Sequence, residues 1–211
     1  MSTVPRSDLS PITRAALIEA ATHEFSVHGF DGASTRAIAQ RAGVHQPQIN
    51  YHFNSKLELW RASVDTLFAE LQEETQDAIE GVRTGRAALE AAIGAFVRHA
   101  ARRPELNRIM VHESGSPSER LDWLVDNHVR GRFSAVSALW DPLRESEEVI
   151  DVDSLTAFYL ILGGGTLLYT NAPEARLLSK EEPTKPDRID AHAGALIGML
   201  FKQPTRKNSR N

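Results

Sequence analysis

Between Ser34 and Lys56 the chain carries three cations, Arg36, Arg41 and Lys56, and no acid. Within that stretch His45, Gln46, Gln48, Asn50, Tyr51 and His52 form a run rich in amides, rings and hydroxyls without a negative charge. Glutamine and asparagine amides match the paired acceptor and donor of an adenine edge in the major groove. Tyrosine, histidine and lysine suit phosphate oxygens, contacts that fix position but carry no sequence information. The chemistry of this run is recognition of double-stranded DNA rather than bond making.

Such side chains must be held on a short helix braced by a second one. Ser34-Thr35 offers an N-cap for a helix with Ile38 and Ala42 inward, and Gly43 suits a left-handed turn after it. A further short helix has Pro47 near its start and Ile49 and Phe53 as apolar anchors. Ala39 is small where the two helices cross, and Val44 and Ile49 fill the angle between them, which is what a helix-turn-helix requires. Upstream, Ser10-Pro11 reads as a helix start, Leu17, Ile18, Ala21 and Phe25 share a face, and Gly29 stops the run. Downstream, Ser55 caps a longer helix from Lys56, with Leu59, Leu67 and Leu71 along it.

The block 35–60 resembles the DNA-binding segment of the tetracycline-repressor (TetR) family. The elements that carry the likeness are Ala42-Gly43-Val44, Tyr51-His52-Phe53 and Ser55-Lys56, with Phe25 to Gly29-Phe30 and Ala33 to Ala39 before them. Gln46-Pro47 looks like the start of the recognition helix in the tetracycline repressor itself, whereas Asn50 stands where the family often has tyrosine. The resemblance implies that Thr35, Arg36, Tyr51, His52 and Lys56 touch phosphates and that Gln46, Pro47 and Gln48 face bases, with Pro47 against a thymine methyl. Asn50 shares the DNA-facing side. It also implies a regulator that binds an inverted-repeat operator as a homodimer, a repressor released by a small-molecule ligand. The alternative is a dimeric helical small-molecule-binding protein without DNA-dependent regulation.

The rest of the chain reads as helix, so the expected fold is all-α: a DNA-binding helix-turn-helix domain over 1–56, a larger helical ligand-binding and dimerisation domain over 57–202, and a disordered basic tail over 203–211. After a break at 81–85, amphipathic stretches run over 86–103, 104–113, 118–140, 152–171 and 188–201, with loops at 114–117 and 173–186. Stretch 152–171 is apolar almost all round and holds Gly163-Gly164-Gly165, each costing about 1 kcal/mol against alanine inside a helix. Close approach of another helix would offset this, and a dimer interface with 188–201 is the candidate. A phosphate-binding reading of these glycines lacks the flanking lysine and the upstream strand.

For a small apolar or amphipathic ligand the candidate lining is Phe96, Met110, Trp123, Asn127, Phe133 and Phe158. A ligand-driven shift of the helix from Lys56 would alter the spacing of the two recognition helices. His99, His112, Glu113 and His128 fall on separate helices without the tight spacing of a metal site, so neither metal nor cofactor is expected.

Composition narrows the classes further. The 211 residues are 41% hydrophobic and 25% charged, ordinary for a soluble globular chain. There is no run of eighteen apolar residues and no signal-like start, so a cytoplasmic protein off the membrane is expected. With no cysteine, disulfides and thiolate metal sites are excluded. The net charge of −4 looks wrong for DNA, but residues 1–60 hold as many lysines and arginines as acids, so the surplus of acid lies elsewhere. No nucleophile and base are paired in sequence, which points away from an enzyme.

Overall fold

The computed structural model describes residues 6–203. Helices follow one another as α1 (Arg6–Gly32), α2 (Thr35–Arg41), α3 (Pro47–His52), α4 (Lys56–Ile79), α5 (Gly85–Arg102) and α6 (Pro104–Ser114). Then come α7 (Glu119–Leu124), a π-helical turn (Val125–Val129), α8 (Arg130–Glu145), α9 (Ser154–Thr170), α10 (Ala172–Ser179) and α11 (Pro186–Leu200). The only strand-like pairing among the described residues is a single bridge of Val149 with Phe201. The all-α expectation holds.

The chain divides into two compact units, one of residues up to Glu70 with Glu105–Leu121, the other of Leu71–Pro104 with the chain from Asp122 onward. The division thus falls within α4, later than the boundary expected at residue 56, and α6 joins the first unit. Its reason is local: His112 of α6 packs on Gly29, where a Cβ would stand 3.3 Å from the His112 ring. Gly29 has φ of 66°, a left-handed kink that the absence of a side chain permits. The first unit's core is Leu17, Ala21 and Phe25 of α1, Ile38 of α2, Ile49 of α3, and Leu59 and Trp60 of α4.

The second unit is built on α5, α8, α9 and α11. Leu89, Ile93, Val97, Trp140, Leu143, Ile161, Tyr169, Leu196 and Leu200 form one buried cluster. Trp140 is fully buried, and its indole N–H donates to the Val152 carbonyl at 3.0 Å. Tyr169 donates to or accepts from His192 Nδ1 at 2.9 Å; burial, with Asp190 adding to it, pushes the phenol up to about 12.

Four local expectations need correction. α1 begins at Arg6 and takes Pro11 inside it, so Ser10-Pro11 is not the start. The stretch expected over 118–140 is a continuous helical run from Glu119, but it carries a π turn at Val125–Val129 and continues past Pro142 to Glu145. Part of the expected loop 173–186 is α10, because Pro173 sits in its first turn, where a missing N–H costs nothing, and Lys180 ends it at φ 57°. Finally, the glycines of α9 meet neighbours in their own chain. A Cβ at Gly164 would stand 2.8 Å from Leu196 Cδ1 of α11, and one at Gly165 would stand 2.8 Å from Phe96 Cε1 of α5. Gly163 faces open space. Residues 204–211, most of the expected tail, lie outside the described residues.

Candidate nucleic-acid interface

Ser34 caps α2, accepting from the Ala37 N–H at 3.4 Å. Gly43, at φ 70°, turns the chain, and the Val44 N–H returns to the Ala39 carbonyl at 3.0 Å. Burial of Ile38, Ala39, Ile49 and Phe53 fixes which way both helices face. The opposite side of α3 is therefore presented outward: Gln46, Pro47 and Asn50 are exposed, and Tyr51 is 79% exposed, unusual for so large a ring. Arg36 is exposed as well, while Thr35, Gln48, His52 and Lys56 are half-buried. All nine residues expected from the sequence to meet DNA are thus at least partly open to solvent within one unit.

Several are already engaged with each other. Gln46 Nε2 donates to Thr35 Oγ1 at 3.1 Å, and Gln48 Oε1 accepts from the His45 N–H at 3.1 Å. The Tyr51 and His52 rings meet edge to face, 5.0 Å between centroids. Nearby, the buried Glu24 carboxylate accepts from Arg41 Nε at 3.0 Å, with His23 and His28 within 3.8 Å. This pairing ties the end of α2 to α1 and matches a buried acid with a cation.

Lys56 lies over the Phe30 ring, its Nζ 4.8 Å from the centroid, and donates to the Asp31 carbonyl at 3.4 Å. Burial draws its pKa below the usual lysine value, Asp31 opposes this, and Arg120 adds to the lowering. If Lys56 neutralises a phosphate, Lys56→Ala weakens binding to all sequences alike and flattens the salt dependence of log K by about one unit for each phosphate left unneutralised. Affinities measured across a salt series check this; an unchanged slope assigns Lys56 to packing on Phe30 alone.

Sequence reasoning missed the group around that ring. Arg120 also lies over Phe30, at 4.2 Å, and donates to the buried Glu113 carboxylate at 2.8 Å. Arg120 and Glu113 flank one loop, a readable spacing, but nothing in the sequence links them to Phe30. A cavity of about 260 Å³ here is lined by Phe30, Leu57, Arg61, Glu119 and Arg120, none of them in the expected ligand lining.

Five of the six ligand candidates, Phe96, Trp123, Asn127, Phe133 and Phe158, lie in the second unit. Phe133 and Phe158 meet edge to face at 5.5 Å. Phe96 lies against Gly165. Trp123 meets His128 at 5.1 Å, and its carbonyl accepts from Asn127 Nδ2 at 2.8 Å, around the π turn. Met110 belongs to the other unit. The four residues weighed for a metal take four different neighbours: His99 with Glu74, His112 with Gly29, Glu113 with Arg120 and His128 with Trp123.

Residues 17–62 match the family model described as bacterial regulatory proteins, tetR family. The HTH-type transcriptional activator FasR of Mycolicibacterium smegmatis (strain ATCC 700084 / mc(2)155) is 36% identical over 83 residues, a match that spans 39% of this chain and 38% of FasR. AibR, solved in complex with isovaleryl coenzyme A and operator DNA, superposes with a TM-score of 0.73 at 17% identity, covering 90% of this chain and 98% of AibR. A TetR family transcription regulator from Marinobacter aquaeolei VT8 gives 0.66 at 18% identity, over 93% and 100%. The helix-turn-helix with its outward, acid-free α3 and the matched segment agree: residues 17–62 are similar to the DNA-binding segment of bacterial regulatory proteins of the tetR family, and the chain shares the fold of the solved regulators.

Proposed function

We propose that the chain is a ligand-responsive transcription regulator that binds an inverted-repeat operator as a homodimer and represses until a small apolar or amphipathic molecule releases it. The observation that carries this is the exposed face of α3, with amides, a tyrosine and no acid. DNA binding is assigned to the first unit, through Thr35, Arg36, Gln46, Pro47, Gln48, Asn50, Tyr51, His52 and Lys56.

A helix of six residues reads too few base pairs for genomic specificity, so two must act together, with half-sites about one turn, roughly 34 Å, apart. The dimer interface is assigned to α9 and α11. Leu155, Tyr159, Leu160 and Leu167 of α9 and Met199 of α11 stand exposed in the single chain. A monomer rarely leaves so large an apolar face in water.

The ligand belongs in the second unit among Phe96, Trp123, Asn127, Phe133 and Phe158; Met110 is the candidate that falls elsewhere. An acyl coenzyme A, such as AibR is solved with, is amphipathic, and the proposed class includes it. No helix among the described residues is long and apolar enough to cross a membrane, and a cytoplasmic place is proposed with regulation, not catalysis, as the activity. FasR is named an activator, so repression is proposed here for the ligand-free state and not for every operator position.

Selection of bound duplexes from a random pool by the purified chain is expected to enrich an inverted repeat. A pool without enrichment leaves the small-molecule-binding alternative. A ligand found by its stabilisation of the folded state then binds less tightly when operator is present, by the same factor by which it weakens operator binding. Equal ligand affinity with and without operator removes the induction reading and leaves DNA binding intact.

A further inference from the structure

Each of the two glutamines of the α3 surface is tied to the protein by a side-chain hydrogen bond. Gln48 Oε1 accepts from the His45 backbone N–H at 3.1 Å. A backbone N–H can only donate, so the carbonyl end is the end held back, and the NH2 end of Gln48 is the one turned away from it. Gln46 pairs with the Thr35 hydroxyl at 3.1 Å, and a hydroxyl both donates and accepts, so either end of that amide satisfies it. A glutamine that presents both ends reads adenine by a donor–acceptor pair. Gln48 is held with its donor end foremost.

We propose that this intramolecular bond polarises the reading surface, so that Gln48 acts as a donor, selecting guanine O6 and N7 at the position it contacts. The inference rests on the DNA-binding reading above and adds to it the base-edge chemistry of the operator half-site. The bond persists on the duplex for a physical reason. At the interface His45 loses the water that would otherwise take its N–H, and a desolvated N–H without an acceptor is costly, so the Gln48 carbonyl stays in place.

The test uses the full chain, the repeat that it selects and that repeat with each of the four bases at the position Gln48 contacts, in competition at low salt. The unaltered chain is expected to bind guanine there about tenfold or more better than cytosine. Gln48→Glu keeps an oxygen for the His45 N–H and replaces the NH2 by a second, charged oxygen, so its thermal midpoint should hold and its affinity for all duplexes fall, while the guanine preference drops below about twofold or inverts toward cytosine, whose amine can donate to it. A guanine preference that survives in Gln48→Glu overturns the donor assignment. If the unaltered chain selects no repeat at all, the DNA-binding reading itself fails and this inference with it; a repeat with adenine at that position sinks the inference alone.

Discussion

The double variant Leu167→Glu with Met199→Glu is expected to leave the chain folded but monomeric and to weaken operator binding by about a thousandfold or more, to the level of random DNA. Leu167 is 59% and Met199 75% exposed in the single chain, so neither carboxylate disturbs its own core. Across a dimer face, two carboxylates per chain would be desolvated without partners, a cost large enough to break an interface of ordinary size. With one recognition helix per particle, specific affinity collapses although each side chain on α3 is intact. Sedimentation at micromolar concentration and helical circular dichroism check the two halves; a variant that stays dimeric places the interface elsewhere. Gly164→Leu is a poor substitute for this test, because a side chain there meets Leu196 of the same chain and confuses folding with assembly.

Trp140→Ala is expected to cost about 3–5 kcal/mol of stability, a large share of the roughly 5–15 kcal/mol that holds a domain together. The ring is fully buried in the cluster of α5, α8, α9 and α11, and its N–H satisfies the Val152 carbonyl in the turn that leads to α9. Truncation opens a cavity and orphans that carbonyl at once. Trp140→Phe should lose less, since most of the volume remains and the missing hydrogen bond contributes about 0.5–1.5 kcal/mol. Urea denaturation reads both; equal midpoints for the two variants and the unaltered chain would show that the site is loosely packed.

Much of this is legible in the sequence because local rules govern it. Ser34, Gly43 and Ser55 take the cap and turn roles that their chemistry suggests, and the buried Ile49 and Phe53 orient α3 as their spacing implies. What is not legible depends on long-range packing. The kink at Gly29 lies against His112, distant in sequence, whose ring takes the space a side chain there would need. The π turn at Val125–Val129, one residue more within a continuous helical run, has no compositional mark. The glycines of α9 do mark a close approach, but sequence does not say which helix approaches, and α5 and α11 of the same chain take the place offered to a partner. Likewise, an amide's type is visible in sequence, but which end of it is free is visible only in the folded chain.

Lys56, clamped between the Phe30 ring and the Asp31 carbonyl, also bears on the entropy of association. A free lysine gives up about 1.5–2 kcal/mol of rotamer freedom when it is fixed, and ordinarily the encounter with DNA would bear that loss. Here folding has already borne most of it. A phosphate contact by Lys56 therefore forms with little further ordering, whereas Arg36, exposed on α2, must still be ordered by the duplex. If both cations meet phosphates, the contribution of Arg36 to affinity should therefore fade faster with rising temperature than that of Lys56.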